Sequence, residues 1–228
     1  MNAADARIRP RLVLVPGLGV DSRLFYRQRE ESPDVIVPEW LEPERGESLA
    51  HYAERLAASV DAVERGPVVL GGLSLGGMLA LEMSRHLKSR AVVLIASCRS
   101  PAAVCGPLHW AERLGREIPS VVVGWSLGLA PMVCGRGGGI GPADRKLLSE
   151  MVSQVPVPLL RWGARAIMEW PGAEDVAAPV HHIHGDCDWV IPLRCVEPTV
   201  VVPGGSHVLN LSHPREVTGL LRSVLCTS

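Results

Sequence analysis

A serine flanked by glycines is the first feature of this sequence that could do covalent chemistry. The pentapeptide Gly-Leu-Ser-Leu-Gly at 72–76 stands between an apolar run, Val68–Leu70, and a segment of helical periodicity, Leu75–Leu87. A sharp strand-to-helix turn lifts such a serine clear of the sheet, and glycines two positions to either side avoid the clash of a Cβ. The N–H of Leu75 would then stand at a helix N-terminus, where it stabilises an oxyanion. The motif predicts Ser74 as a nucleophile.

The same Gly-x-Ser-x-Gly pattern occurs a second time at 124–128, around Ser126. Pro131 follows five residues later, and five glycines lie within Cys134–Pro142, so no long helix can carry that turn. The helical pattern behind Ser74 contains no proline. The flanking residues therefore favour Ser74 as the nucleophile.

A serine hydroxyl becomes a good nucleophile when an imidazole takes its proton and a carboxylate orients that imidazole. Among eight histidines, His207 follows the apolar run Thr199–Val202, which predicts a position in a loop at the carboxyl end of a strand. Asp186 and Asp188 both follow the apolar run Val180–His184. The sequence thus predicts His207 as the general base, with two aspartates competing to orient it.

The segment around these aspartates resembles the α/β-hydrolase superfamily, whose pattern after the penultimate strand is Gly-x-x-Asp-x-x-Val/Ile-Pro. The matching residues are Gly185, Asp188, Ile191 and Pro192. The resemblance implies Asp188 as the acid, and the chain order Ser74, Asp188, His207 is the order expected of that fold. Asp186 is then interpreted as a turn residue that bonds its own backbone.

The loop after the first apolar run is similar to the oxyanion loop of the same family. It reads Pro-Gly-Leu-Gly at 16–19, which implies the N–H of Leu18 as a second oxyanion donor beside Leu75. The family commonly has His-Gly here, and a proline replaces that histidine. Small bacterial esterase-like members share this opening, the Pro-x-Trp-x-x-Pro stretch at 38–43 and a tryptophan such as Trp170. The resemblance implies cleavage of a carboxylic ester, or a related thioester or lactone, through an acyl-enzyme.

Short β-branched runs alternate with helical patterns along the whole chain. This alternation is typical of an α/β fold with a mainly parallel, doubly wound sheet, which we expect to form one domain over residues 1–228. The six predicted strands are Leu12–Val15, Val35–Val37, Val68–Leu70, Ala91–Ala96, Val180–His184 and Thr199–Val202. The helices predicted before residue 97 and after residue 202 are Ser48–Val63, Leu75–Leu87 and Pro214–Leu225.

Some eighty residues between Ser97 and Pro179 interrupt this alternation, where one crossover helix would suffice. Residues 98–178 are therefore predicted to form a helical cap insertion, in the place where the family usually carries its cap. The predicted helices of the cap are Leu108–Glu117, Ala143–Val155 and Pro158–Trp170. The candidate substrate-binding side chains of the cap are Trp110, Trp125, Leu127 and Trp162. Such a lining predicts a small, apolar, ester-like substrate.

The composition excludes several other classes of protein. The 228 residues include 23 Lys and Arg and 24 Asp and Glu, a formal charge of −1, without a basic cluster. So small a net charge gives no long-range attraction for nucleic acid. The six cysteines form no Cys-x-x-Cys pair and are too sparse for a disulfide scaffold, so we expect reduced thiols.

One uncharged stretch, Ile118–Gly135, is 18 residues long, close to the length that spans a bilayer. Its two prolines and three glycines break a helix, so we expect a buried segment and no membrane partner. The polar residues 1–11 and the short apolar run after them do not resemble a signal peptide. We therefore expect a cytoplasmic protein.

Two other readings use different chemistry. His182-x-His184-x-Asp186 matches most of a metal-binding signature of metallo-hydrolases, and both histidines would share one face of a strand. Cys187 stands where that signature has its last histidine, and few residues follow to supply more ligands. A glycine pattern at 17–22 lacks the third glycine of a dinucleotide site.

We predict neither metal nor cofactor. The alternatives are this metal-dependent hydrolase and a non-catalytic ligand-binding member of the fold.

Overall fold

Five apolar runs of the sequence form one parallel sheet. The structure is a computed structural model that describes residues 10–61, 66–104 and 139–227. In that part of the chain the strands lie side by side in the order β1-β2-β3-β4-β5, and every pair is parallel. The strands are β1 (Arg11–Val15), β2 (Val68–Leu73), β3 (Ser89–Ile95), β4 (Val180–Gly185) and β5 (Val200–Val202).

Helices cover both faces of this sheet. The described helices are α1 (Tyr26–Glu31), α2 (Leu49–Asp61), α3 (Leu75–Met83), α4 (Pro142–Gln154), α5 (Val157–Glu169), α6 (Leu209–Ser212) and α7 (Pro214–Thr227), with short 3-10 turns at Ser22–Phe25, Pro101–Ala103 and Leu193–Cys195. Alternate residues of β1 enter two separate core clusters, Val13 and Val15 in one, Leu12 and Leu14 in the other. Because successive strand residues point to opposite faces, these clusters are the two layers of a doubly wound fold.

Each layer contains its own helices. Buried side chains of α2, α3 and α5 belong to the cluster of Val13, whereas those of α4, α6 and α7 belong to the cluster of Leu12. Both layers bury their apolar faces against the sheet, which is the main source of stability in such a fold. The predicted α/β class, with a parallel sheet between helices, is confirmed.

Two predicted elements differ from the structure. The run Val35–Val37 was expected to be a strand, but it makes only one isolated parallel bridge, Ile36 to Val13. The next donor of this ladder would be Pro38, which has no N–H, so the pairing stops after Ile36. The helix predicted as Leu75–Leu87 ends at Met83, and residues 84–86 form a turn. Only five residues separate Met83 from β3, so the chain must reverse there.

The inserted region is described only in its second half. The predicted helices Ala143–Val155 and Pro158–Trp170 correspond to α4 and α5, while Leu108–Glu117 lies outside the described residues, as does most of the glycine-rich loop. The limits 98–178 of a cap therefore stay a prediction. Among the described helices, none is long and apolar enough to cross a membrane.

Candidate active site

Ser74 occupies the turn between β2 and α3. Its backbone has φ 52° and ψ −120°, a left-handed φ that non-glycine residues rarely adopt. The glycines on either side make this turn sterically feasible, because a Cβ on Gly72 would overlap the backbone of Gly76, and one on Gly76 would overlap the carbonyl oxygens of Val15 and Pro16. The spacing of the motif is therefore a direct requirement of the packing around Ser74.

Backbone hydrogen bonds hold the strained serine in place. Ser74 N–H donates to the Ile95 carbonyl at 3.0 Å, and the Ser74 carbonyl accepts from Gly77 N–H at 2.9 Å and from Ser97 Oγ at 2.6 Å. These contacts come from α3 and from the end of β3. Together they stabilise a backbone conformation whose strain costs on the order of 1–3 kcal/mol.

Asp188 and His207 form a buried pair at the same edge of the sheet. Asp188 follows β4 and is 5% exposed, and His207 follows β5 and is 9% exposed. His207 Nδ1 lies 2.8 Å from Asp188 Oδ2. The carboxyl ends of parallel strands share one edge, so this pair lies at the edge where β2 delivers Ser74.

The two loops that carry this pair touch through their glycines. Cys187 N–H donates to the Gly205 carbonyl at 3.0 Å, and a Cβ on Gly185 would overlap the backbone of Gly205. Asp186 was expected to bond its own backbone, but its Oδ1 accepts from Gly204 N–H at 2.7 Å, eighteen residues away. Asp186 thus joins the acid loop to the histidine loop. A contact between residues so far apart could not be predicted from the sequence.

The charge state of Asp188 follows from its contacts. Burial opposes its ionisation, but His207 beside it and the backbone N–H of Ile191 outweigh burial and hold the pKa of the carboxyl below its ordinary value. Asp188 Oδ1 accepts from Val190 N–H at 2.8 Å and from Ile191 N–H at 2.9 Å. Asp188 is therefore a carboxylate at neutral pH, and the two backbone N–H groups fix the orientation of its side chain.

The loop after β1 lies against the serine turn. A Cβ on Gly17 would come within 3.2 Å of the Leu73 carbonyl and 3.6 Å of Ser74 Cβ, so the backbone of this loop passes directly beside the nucleophile. The Leu18 side chain packs against Gly163 of α5. Leu18 and Leu75, the two predicted oxyanion donors, thus flank Ser74.

The structure brings Ser74, Asp188 and His207 to one edge of the sheet, but Ser74 and His207 are not in hydrogen-bond contact. Within the described residues, no hydrogen bond joins Ser74 Oγ to the ring of His207. Contacts between a nucleophile and its base are often long in unliganded sites and tighten when substrate binds. The catalytic roles of Ser74, Asp188 and His207 stay predictions.

Trp162 is the described member of the four predicted substrate-binding side chains. It is 5% exposed, its Nε1–H donates to the Glu47 carbonyl at 2.9 Å, and its ring lies 4.1 Å from that of Tyr52. These contacts place it within the core layer of α2 and α5, and substrate contact by Trp162 stays a prediction. Trp110, Trp125 and Leu127 lie outside the described residues, as does Ser126.

Sequence reasoning missed the contacts of two of the three histidines on β4, His182 and His184. His184, fully buried, places Nε2 2.7 Å from the Ile191 carbonyl and 3.3 Å from Asp188 Oδ2. His182 Nε2 lies 3.1 Å from His184 Nδ1. The alternation of the two histidines showed a shared strand face, but their distance from the acid depends on how the loop to Ile191 folds back.

Another cluster in the described chain has metal-ligand spacing: Glu44, Glu47 and His51. Arg55 already forms ion pairs there, at 2.9 Å with Glu47 and 3.5 Å with Glu44. A guanidinium thus supplies the positive charge at this cluster. The described cysteines, Cys98, Cys187, Cys195 and Cys226, are free thiols.

A parallel sheet between two helical layers, with a serine turn after one strand and an Asp–His pair after two others, defines the architecture of a hydrolase fold. The chain belongs to the Alpha/beta hydrolase family, whose sequence pattern it matches over residues 12–220. The resemblance noted from the motifs is therefore confirmed. A search of the curated proteins finds no match to this chain.

Solved structures with the same fold include esterases and hydrolases. A thermophilic esterase from Thermogutta terrifontis has a TM-score of 0.73 at 23% identity, with 96% of this chain and 90% of that chain covered. A hydrolase from Oleispira antarctica has a TM-score of 0.77 at 18% identity, covering 96% and 92%. A hydrolase from Pseudomonas aeruginosa PA01 has a TM-score of 0.71 at 21% identity, covering 95% and 90%. At these identities the likeness concerns the fold.

Proposed function

We propose that the protein is a serine hydrolase that cleaves carboxylic esters through an acyl-enzyme. The observation that carries the proposal is the buried 2.8 Å contact between His207 and Asp188 at the edge of the sheet where Ser74 stands with left-handed φ. A carboxylate on one ring nitrogen leaves the other free to act as a base. The three residue types and their order in the chain fit this reading.

In this mechanism Ser74 Oγ attacks the ester carbonyl carbon while His207 Nε2 takes the hydroxyl proton. The C–O bond to the alcohol then breaks, and the imidazolium returns its proton to the leaving alkoxide. Water attacks the acyl-enzyme with the same base, which regenerates Ser74 and releases the acid. Asp188 remains a carboxylate throughout and stabilises the imidazolium.

The oxyanion that forms in both steps needs donors beside Ser74. The N–H groups of Leu18 and Leu75 flank the serine and donate to no acceptor in the described part of the chain. Each would contribute on the order of 3 kcal/mol to the transition state. The helix dipole of α3 adds to the field at Leu75.

An apolar substrate is supported by the surroundings of the oxyanion loop. The Leu18 side chain packs on α5, whose buried face is almost wholly apolar. Trp110, Trp125 and Leu127 of the inserted region are the candidate contacts for an aliphatic acyl or alcohol group. The esterase from Thermogutta terrifontis is a precedent for ester cleavage on this fold.

The test compares Ser74→Ala with Ser126→Ala, which differ only in which Gly-x-Ser-x-Gly motif loses its hydroxyl. We expect Ser74→Ala to lose labelling by a fluorophosphonate and to lower hydrolysis of p-nitrophenyl butyrate about 10⁶-fold. Ser126→Ala should keep both. Mass spectrometry of the labelled peptide locates the modified serine. Labelling that survives in Ser74→Ala and vanishes in Ser126→Ala would refute the assignment.

A further inference from the structure

Two histidines of β4 continue the line of polar contacts beyond the Asp–His pair. His182, His184 and Asp188 are each less than 9% exposed, and they connect by contacts of 3.1 Å and 3.3 Å. Asp188 then contacts His207 at 2.8 Å. Burying a polar ring costs free energy unless it is hydrogen-bonded, so the partners of each imidazole decide what holds it behind the carboxylate.

The partners of His184 determine which of its nitrogens holds the proton. The Ile191 carbonyl, 2.7 Å from Nε2, can only accept a hydrogen bond, so Nε2 carries the hydrogen. Nδ1 of the neutral ring is then an acceptor, and it faces Nε2 of His182 at 3.1 Å. His182 therefore donates to His184, and His184 donates to the acid loop.

Ile191 links His184 to the orientation of the carboxylate. Its N–H donates to Asp188 Oδ1 at 2.9 Å, while its carbonyl accepts from His184 at 2.7 Å. The ring thus holds the residue whose N–H aims the acid. We propose that His184 is a positioning residue: by binding the Ile191 carbonyl it fixes the acid loop so that Asp188 Oδ2 meets His207. This inference rests on the proposed function for its catalytic consequence.

The neutral form of His184 is favoured by its surroundings. Burial lowers its pKa, against the opposing effects of the Ile191 carbonyl and of Asp188, and His207 adds to the lowering. Burial, together with His184 beside it, lowers the pKa of His182 to about 3. Arg99 adds to the lowering at His182, whereas the Ser97 backbone and Asp188 act in the opposite direction without outweighing burial. Both rings therefore stay uncharged at the pH where the enzyme would work.

This reading also gives the His182-x-His184 pair a role that needs no metal. Nε2 of His184 bears a hydrogen directed at a carbonyl, and Nδ1 receives one from His182, so neither nitrogen offers a free lone pair. Asp186, the third residue of that signature, accepts from Gly204 instead. Within the described residues the motif is engaged by the protein itself.

The test compares His184→Gln with His184→Asn, two neutral amide side chains that differ in whether they are long enough to reach the Ile191 carbonyl. In His184→Gln the amide N–H can stand where Nε2 stands and bind the Ile191 carbonyl. In His184→Asn it stands where Nδ1 stands and cannot reach. Loss of the acid's charge costs an enzyme of this type about 10⁴-fold, so loss of its support should cost less. We expect kcat for p-nitrophenyl butyrate within about threefold of the parent in His184→Gln and about tenfold lower in His184→Asn, with KM within about twofold.

The second readout does not depend on activity. In protein labelled with ¹⁵N-histidine, the Nδ1 proton between His207 and Asp188 should give a low-field NMR signal. We expect this signal in the parent and in His184→Gln and its loss in His184→Asn. The matched surface control, His86→Asn, is exposed and should change neither kcat nor the signal.

The proposal is overturned if His184→Asn keeps the parent kcat and the signal, or if His184→Gln loses as much as His184→Asn. Equal losses of melting temperature in both variants, with equal kcat, would show a purely structural role and also overturn it. Absence of hydrolysis and of Ser74 labelling in the parent would refute the proposed function instead. The NMR comparison would then still decide whether His184 positions the acid.

Discussion

The serine turn and the acid loop place their side chains by different physical means. At the turn of residues 72–77 close packing dominates, because a Cβ on Gly72 or Gly76 would overlap backbone atoms, and the hydrogen bonds of Ser74 add to this constraint. In the loop of residues 185–192 the position of the Asp188 carboxylate is set mainly by the hydrogen bonds that converge on it.

This difference predicts how substitutions in each region affect stability and activity. A steric constraint acts on the backbone, so breaking it should lower the free energy of unfolding together with activity. A hydrogen-bond constraint acts on the charge and aim of one side chain, so breaking it should lower activity with little effect on the fold. Variants of single residues can separate the two.

Among substitutions that leave the Ser74 hydroxyl in place, the largest effect on activity is expected at the acid loop. Asp188→Asn keeps the size of the side chain but removes the charge that stabilises the imidazolium, and it should lower kcat by about three to four orders of magnitude. Steady-state ester hydrolysis measures this. The control is Asp186→Asn, an exposed neighbour whose amide oxygen can still accept from Gly204 N–H, so kcat should stay within about threefold of the parent. Equal losses in the two variants would count against Asp188 as the acid.

At the serine turn, Gly76→Ala should destabilise the fold by about 3 kcal/mol or more, because the new methyl meets the rigid backbone carbonyls of Val15 and Pro16. Urea unfolding followed by circular dichroism measures it. The matched control is Gly219→Ala in α7, where a Cβ meets nothing within 4 Å. There the change should stabilise by up to about 1 kcal/mol. A Gly76→Ala protein as stable as the parent would contradict the steric account.

The smallest effect concerns the histidines behind the acid. Unfolded His182 binds a proton near pH 6.5, whereas the folded protein keeps the ring neutral until about pH 3, so stability falls as the pH drops through this window. His182 alone contributes at most about 1.4 kcal/mol per pH unit.

Urea unfolding at pH 6 and pH 5 tests this, with His182→Gln expected to show the smaller loss of stability between the two. His86→Gln, on the surface, should lose as much as the parent. If all three proteins lost the same amount, the buried neutral state of His182 would be wrong.

Local patterns predicted the elements that local physics controls. The glycine spacing around Ser74 reflects a clash within a few residues, and the β-branched runs reflect burial on both faces of a parallel sheet. The run at Val35–Val37 is also β-branched, yet it forms one bridge, since Pro38 cannot donate the next hydrogen bond of the ladder. The position of Trp162 in the core depends on its contacts with Tyr52 and Glu47, which lie over a hundred residues earlier in the chain.

From the order of amino acids came the fold class, the turn at Ser74 and the candidates for base and acid, because each of these depends on spacing along a short stretch. Only the folded chain decided that Asp186 bonds Gly204 and that His184 supports Asp188 through Ile191. Those contacts depend on how loops from separate strands return to one edge. Hydrogen bonds need donor and acceptor within about 3 Å, and no pattern along the chain encodes that distance.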